Sequence, residues 1–154
     1  MNEKGIEIIK QFEGFKAKPY LCPAGIPTIG YGTTIYPDGR KVTLKDPSVA
    51  EYQADGYLRY DVEVVNEKVV KLTNGKLNEN QLSALVSFAY NVGIEKLRKS
   101  TLFKRVLADK DGLSIREEFL KWKFAKDPKT GHMVVLPGLL RRRIAEANLY
   151  FLTL

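Results

Sequence analysis

The sequence predicts an α+β fold with a small sheet near the N-terminus and a larger group of helices after it. Residues 17–43 contain short β-prone runs separated by two turn clusters. From residue 48 onward, apolar residues recur mainly at helical spacing. Hydrophobic residues make up 44% and charged residues 28% of the 154, which is typical of a globular protein. A small sheet followed by helices is the α+β pattern.

The first element is a short helix over residues 2–13. Asn2 can cap its N-terminus, and Gly14 can end it. One face of this helix carries Ile6, Ile9 and Glu13. The region 17–43 follows and contains the turn clusters PAG and PDGR, of which PDGR is the stronger signal. This region predicts a small antiparallel sheet.

Five further helices are predicted after Pro47. The spacing of the apolar residues predicts a long helix over about 48–70, whose repeating positions are Leu58, Val62, Val65 and Val69. Asn78 and Gln81 have the spacing of a capping box, and Gly93 can end the helix that they begin. Leucine, valine and phenylalanine residues form two apolar stripes on this helix, so we expect it to be the most buried of the helices.

The C-terminal third predicts three shorter helices. Ser100 can cap a helix over 101–109, and Ser114 with Glu117 can cap another over 115–125. A stretch rich in proline and glycine, KDPKTGHMVVLPG, precedes a last helix near 138–151.

We expect one domain over 1–154 with two lobes. The small β lobe covers about 14–47, and the helical lobe covers about 71–154 together with helix 2–13. The long helix joins the two lobes, and a cleft between such lobes is where a ligand is expected.

Charge and cysteine content restrict the partners and the compartment. Lys and Arg outnumber Asp and Glu by 25 to 18, a net charge of +7 that favours anionic polymers such as nucleic acid, acidic membrane surfaces or bacterial cell wall. No zinc-finger or RNA-binding signature accompanies this charge.

The single Cys22 excludes an intramolecular disulfide. No secretory signal or apolar run of membrane-spanning length is present, so we expect synthesis in the cytoplasm.

Glu13 has the surroundings that an acid catalyst needs. The helix C-terminus and the neighbouring isoleucines both disfavour a carboxylate, so this glutamate could stay protonated near neutral pH. Cys22 and Thr28 lie on the hairpin that follows, where a thiolate could act as base or nucleophile and a hydroxyl could hold a water. The residues alone also allow a solvated helix-end glutamate and a cysteine that is only a small apolar side chain.

The spacing of these three residues resembles a known signature. Glu13 is followed by eight residues, Cys22, five residues and Thr28, and then by IGYG. This resembles the phage-type lysozymes, or endolysins, of glycoside hydrolase family 24, which have a Glu, an Asp or less often a Cys, and a Thr at that spacing. The resemblance continues in order along almost the whole chain, through QLSALVSFAYNVG (81–93), STL (100–102), EEFLKW (117–122) and GLLRRRIAE (138–146).

The resemblance implies a muramidase, which hydrolyses the β-1,4 bond between N-acetylmuramic acid and N-acetylglucosamine in peptidoglycan. It implies Glu13 as general acid, Cys22 as the group on the opposite face of the sugar, and Thr28 as the residue that positions water or supports the intermediate. No metal or cofactor is implied. The implied partner is bacterial peptidoglycan, with no nucleic acid and no stable membrane insertion, and the protein is implied to be a monomer. It would stay in the host cytoplasm until a membrane lesion gives access to the wall.

The resemblance also implies substrate-binding residues. Tyr90 and Asn91 align with a stretch that lines the saccharide cleft, and Thr101 at a helix start could offer a hydroxyl or an N–H group. Arg141 and Arg142 are assigned to the substrate, although at most two of the arginines at 141–143 can face the cleft because successive helical residues point about 100° apart. Core packing for the tyrosine and a solvated cationic face for the arginines are the alternatives.

Two departures from the family pattern leave questions open. The commoner residue at position 22 in the family is Asp. An ordinary thiol has a pKa of about 8.5, so the charge of Cys22 near neutral pH depends on its surroundings. Attack by the sulfur would retain the configuration at the anomeric carbon, whereas activation of water would invert it. Thr33 replaces a frequent His, and His132 is interpreted as a surface residue.

Two other functions remain open at this point. A lytic transglycosylase would use Glu13 alone, and a basic binder of wall or nucleic acid would use only the net charge.

Overall fold

The computed structural model describes residues 1–154, which form seven helices and four short strands. The α+β class predicted from the sequence is confirmed. The chain divides into two compact units, one formed by residues 9–64 and the other by residues 1–8 together with 65–154. None of the helices combines the length and apolar character that a bilayer crossing requires.

The unit formed by residues 9–64 contains a two-stranded antiparallel sheet and parts of two helices. In chain order these elements are α1 (Glu3–Glu13), β1 (Lys16–Leu21), β2 (Pro27–Gly30) and α2 (Glu51–Leu72). Tyr20 pairs with Thr28 across the sheet, and an irregularity interrupts the register between Lys16 and Tyr20. The core of this unit consists of Ile29, Tyr36 and Val42, with Val49 and Tyr57 packed against them.

The strengths of the two turn signals in the sequence do not match the hairpins that form. The weaker one, PAG, connects the paired strands β1 and β2, whereas PDGR is flanked only by an isolated bridge between Ile35 and Lys41. The Asp46 side chain provides local hydrogen bonds after this turn. Its carboxylate accepts from the backbone N–H of Thr43 at 3.0 Å and from the buried Tyr36 hydroxyl at 2.6 Å.

The other unit is mainly helical. Its complete helices are α3 (Glu79–Val92), α4 (Ile94–Lys99), α5 (Thr101–Ala108), α6 (Ile115–Leu120) and α7 (Pro137–Tyr150). The predicted capping box is present at α3, where the Asn78 side chain accepts from the N–H of Gln81 and the Gln81 side chain accepts from the N–H of Asn78. Ser100 caps α5 as predicted. Aromatic rings fill the core around Phe88, which packs edge-on against Phe119 and Trp122.

Three features of this unit differ from the sequence prediction. Helix α6 ends at Leu120 rather than near 125, and Ser114 does not cap it because its own backbone is already helical. Helix α4 was not predicted. It begins directly after Gly93, and the φ of +98° at this glycine separates α4 from α3. A second hairpin, β3 (Phe124–Lys126) with β4 (Met133–Val135), forms in the stretch rich in proline and glycine.

Candidate active site

A tight hairpin loop holds Cys22 at the end of β1. The Cys22 N–H donates to the carbonyl of Ile26 at 3.1 Å, and the N–H of Gly25 donates to the Cys22 carbonyl at 2.8 Å. Gly25 adopts a φ of +78°, a left-handed conformation that glycine tolerates without strain. This three-residue loop fixes the position of the sulfur relative to β2.

The surroundings of Cys22 favour its thiolate. Hydrogen bonding to the Ile26 backbone holds the pKa of the thiol below its ordinary value, with smaller support from the Ala24 backbone and the Thr28 hydroxyl. Partial burial of the thiol opposes this shift. No lysine or arginine is among the causes of this shift, which comes from backbone groups and one hydroxyl.

Thr28 is buried beside the sulfur and has two acceptors within reach. Its hydroxyl donates to the Ile26 carbonyl at 2.8 Å, and it also hydrogen-bonds the Cys22 thiol. Because a hydroxyl has a single proton, it can serve only one of these acceptors at a time. A thiolate therefore draws the proton of Thr28 toward sulfur, whereas a neutral thiol can donate to the Thr28 oxygen instead.

Glu13 is the last residue of α1 and is partly buried. The N–H of Gly14 donates to the carbonyl of Lys10 at 2.9 Å, and the φ of +72° at Gly14 turns the chain directly into β1. Helix α1 is held against α2 by an ion pair between Lys10 and Asp55 at 2.5 Å. The helix end that carries the acid is thereby fixed within the same unit as the hairpin.

Tyr20 connects the acid and the sulfur electrostatically, although the sequence analysis did not select it. Burial raises the pKa of its phenol, and the negative charges of Glu13 and then of Cys22 raise it further. Glu13 and Cys22 therefore both lie within electrostatic range of one phenol. The signal for Tyr20 was present in the sequence, since it stands two residues before Cys22 in a β-prone run.

The predicted substrate-binding residues lie in the other unit. Tyr90 is partly buried near the end of α3, while Asn91, Thr101 and Arg141 are exposed. The Asn91 side-chain oxygen accepts from Nη2 of Arg143 at 2.8 Å. Their roles in binding remain predictions.

Arg142 and Arg143 are buried and take part in a polar network centred on Glu146. Nε of Arg142 lies 3.3 Å and Nε of Arg143 lies 2.8 Å from the Glu146 carboxylate, which also accepts from the Ser87 hydroxyl at 2.5 Å. Arg142 further donates to the Ser87 carbonyl at 3.2 Å, and the guanidinium of Arg143 stacks 4.9 Å from the Phe88 ring centre. These contacts attach α7 to α3.

The network is a second feature that the sequence analysis missed. Glu146 follows the two arginines by four and three residues, the spacing at which helical side chains meet. That spacing could have identified the pairing. His132 is exposed, as predicted, and no group of three or more His, Cys, Asp or Glu side chains is arranged to hold a metal ion.

Comparison with known proteins identifies the family. The phage lysozyme family model matches residues 10–146. The chain is 36% identical over 151 residues to an endolysin of Acyrthosiphon pisum secondary endosymbiont phage 1, covering 97% of each protein. It also matches an endolysin of Bacillus phage B103 at 35% identity, although it spans only 53% of that protein.

Solved structures agree with this assignment. The endolysin of Escherichia coli O157:H7 phage FAHEc1 superposes with a TM-score of 0.86 at 37% identity, covering 97% of this chain and 92% of the other. The muramidase domain of SpmX from Asticaccaulis excentricus superposes with a TM-score of 0.84 at 32% identity, covering 99% of this chain and 97% of the other. The matched range, the identities and the shared fold all lead to one conclusion: the chain belongs to the phage lysozyme family.

Proposed function

We propose that the protein hydrolyses the β-1,4 bond between N-acetylmuramic acid and N-acetylglucosamine in bacterial peptidoglycan, with Glu13, Cys22 and Thr28 as its reacting groups. Membership of the phage lysozyme family makes the protein a peptidoglycan-hydrolysing glycoside hydrolase. The residue roles are our proposal. The observation that supports it is the placement of Glu13 at the end of α1 and of Cys22 on the adjoining hairpin, where backbone groups and the Thr28 hydroxyl lower the pKa of the thiol.

Glu13 supplies the proton for the leaving group. Breaking the glycosidic bond leaves a negative charge on the departing sugar oxygen unless a proton arrives, and a carboxylic acid can deliver it. The partly buried helix end limits the freedom of the side chain. After the transfer, Glu13 is a carboxylate and the leaving sugar carries a neutral hydroxyl.

Cys22 accepts a proton from water, and Thr28 holds that water. The water oxygen attacks the anomeric carbon, one water proton passes to the sulfur, and the glycosidic bond breaks as Glu13 protonates the leaving oxygen. The hydroxyl of Thr28 beside the sulfur supports this role, because a water there would have two polar partners. Direct attack by sulfur would need no such partner.

Substitution of Glu13 tests the acid. Glu13→Gln should reduce lysis of outer-membrane-permeabilised cells at least 1,000-fold, roughly the upper part of the range for acid catalysis. Glu7→Gln, an exposed position on the same helix, is the matched control and should leave lysis unchanged. Unchanged lysis in Glu13→Gln would remove the acid assignment.

Alkylation and product stereochemistry test the sulfur. Iodoacetamide should inactivate the enzyme, and a peptidoglycan oligosaccharide should slow the inactivation. NMR of the first product should show the α-anomer, since activation of water inverts a β-linkage. Full turnover by the alkylated protein would make Cys22 a bystander, and a β-anomer would assign attack to sulfur itself.

The remaining elements of the proposal concern binding and release. We propose that Tyr90, Asn91, Thr101 and the arginines Arg141 and Arg142 contact the glycan directly or hold the residues that do. We further propose that the protein acts as a monomer without nucleic acid or membrane insertion, and reaches the wall from the host cytoplasm after a membrane lesion. Neither a lytic transglycosylase nor a non-catalytic binder is favoured by the family relationship.

A further inference from the structure

The second hairpin, formed by β3 and β4, carries an apolar face that is open to solvent. Phe124 is the direct cross-strand partner of Val135, and Lys126 is that of Met133. Directly opposed residues project from the same face of a sheet, as do residues two apart on one strand. These four side chains therefore form one surface, the hairpin face. Met133 is 62% exposed, and Phe124 and Val135 are each 44% exposed.

Backbone hydrogen bonds at both ends of the hairpin hold this face in place. At the base, the N–H of Leu136 donates to the carbonyl of Lys123 at 3.0 Å. At the turn, the N–H of Asp127 donates to the carbonyl of His132 at 2.8 Å, and the Asp127 carboxylate accepts from the N–H of Lys129 at 2.9 Å. The apolar side chains are thus presented on a fixed hairpin.

Positive charge surrounds the hairpin face. The hairpin contains three lysines, Lys123, Lys126 and Lys129, and its one acid is Asp127, whose carboxylate is engaged in the turn. The Lys123 ammonium lies 5.5 Å from the centre of the Phe124 ring, so a cation stands directly beside the apolar side chains. Lysine stems can lie along apolar surface while their ammonium groups reach outward to anions.

We propose that the hairpin face binds the surface of a bilayer that contains anionic phospholipids. The side chains of Phe124, Met133 and Val135 enter the boundary between headgroups and acyl chains, and the lysines contact the lipid phosphates. The hairpin lies on the membrane rather than spanning it, because strands of three residues are too short to cross a bilayer. This attachment is an activity additional to hydrolysis of the wall.

The composition of the hairpin face favours lipid over glycan. A sugar presents hydroxyl groups that need hydrogen-bond partners, and the aliphatic side chains of Met133 and Val135 offer none, so covering those hydroxyls would be costly. A contiguous exposed apolar surface marks an interaction site. Beside a group of lysines it complements a partner whose apolar interior lies beneath a layer of negative charge.

Co-sedimentation with lipid vesicles tests this proposal. The full-length protein should bind vesicles of phosphatidylglycerol and phosphatidylcholine in equal parts at least tenfold more tightly than vesicles of phosphatidylcholine alone. A variant with both Met133→Ser and Val135→Ser should bind the anionic vesicles at least tenfold more weakly, because these apolar side chains no longer favour leaving water. Leu113→Ser changes an 85% exposed leucine outside the hairpin and is the matched control, with an expected effect below twofold.

A pair of charge variants provides the second comparison. Lys126→Gln should weaken binding to the anionic vesicles about fivefold, because it removes a cation next to the headgroups. Lys45→Gln removes the same charge from an exposed position outside the hairpin and should change binding less than twofold. If the hairpin variants and their controls bind alike, the proposal is overturned, since the net charge of the whole protein would then account for the attraction.

Digestion of purified peptidoglycan separates this proposal from the proposed function. No bilayer is present in that assay, so the Met133→Ser and Val135→Ser variant, shown to be folded by circular dichroism, should digest at the wild-type rate. A variant that binds vesicles normally but digests slowly would assign the hairpin face to the glycan and overturn the proposal. Failure of the proposed function is a different result, namely full lysis by Glu13→Gln.

Discussion

Removal of the Glu146 carboxylate should destabilise the protein strongly. Glu146 is fully buried and is the shared anionic partner of Arg142 and Arg143, both of which are also buried. In Glu146→Ala the two guanidinium groups keep their positive charges without a counter-charge, and the Ser87 hydroxyl loses its acceptor. Burying a charge without a partner is far more costly than losing an exposed ion pair.

The expected loss is about 4 kcal/mol in the free energy of unfolding, the middle of the range for breaking a buried ion pair by removing one partner. For a chain of this size, each kcal/mol lowers Tm by about 2–4 °C, so Tm should fall by about 8–16 °C. Urea unfolding followed by circular dichroism measures the first quantity, and a thermal scan measures the second. A midpoint shift without a change in the denaturant slope would indicate a pure stability effect.

Glu95→Ala is the matched control because Glu95 forms an exposed pair with Arg98 at 2.7 Å. It should cost less than about 1 kcal/mol. The reasoning is refuted if Glu146→Ala costs no more than this control. Such a result would mean that the two arginines find other partners or water once the carboxylate is gone.

Three further substitutions test other parts of the account. Burial raises the pKa of Asp61 to about 6, so the folded protein retains a proton that the unfolded chain releases at lower pH. The stabilisation from that proton is complete below the pKa of the unfolded chain and is lost as pH rises through 6. Asp61→Asn should remove this loss and stabilise the protein at pH 7 by about 2 kcal/mol, less than the full pKa difference gives because solvent screens this partly buried carboxyl; urea unfolding at pH 4 and 7 measures the change. Equal stability changes at both pH values would contradict this. Gly30→Ala should cost about 3 kcal/mol, because Gly30 has a φ of +66° and a Cβ there would lie 2.9 Å from that of Ala54; a loss below 1 kcal/mol in the same assay would show that the chain relaxes. Cys22→Asp should keep lytic activity and become resistant to iodoacetamide, since a carboxylate can accept the same proton; an inactive but folded variant would show that the site requires sulfur.

Local signals predicted most of the helices, whereas the roles of Glu13, Cys22 and Thr28 remain predictions. The capping box at Asn78 is complete within four residues, so its outcome depends on little else. The prediction that Ser114 caps a helix was wrong, although Ser114 and Glu117 have the same spacing as Asn78 and Gln81. There the N–H of Ile115 already donates to the Gly112 carbonyl, and the helical backbone at Ser114 prevents its side chain from capping. Capping signals thus depend on the conformation of the residues before them.

Tertiary contacts explain what the sequence analysis did not find. The second hairpin depends on a loop in which the Asp127 carboxylate accepts from the N–H of Lys129 and the Asp127 carbonyl accepts from the N–H of Gly131. Its β-branched residues were visible, but they were assigned to an irregular stretch. The burial of Arg142 was not predicted either, because the sequence analysis assigned this arginine to the substrate or, as the alternative, to a solvated face, and its hydrogen bond to the Ser87 carbonyl lies in the interior.

Mass analysis of the fragments released from purified peptidoglycan tests whether Glu13 drives hydrolysis of the glycan. We expect wild-type protein to release fragments ending in a free reducing N-acetylmuramic acid, and Glu13→Gln to release none while remaining folded. Fragments ending in an anhydro-sugar, or an unchanged digest by Glu13→Gln, would contradict this expectation.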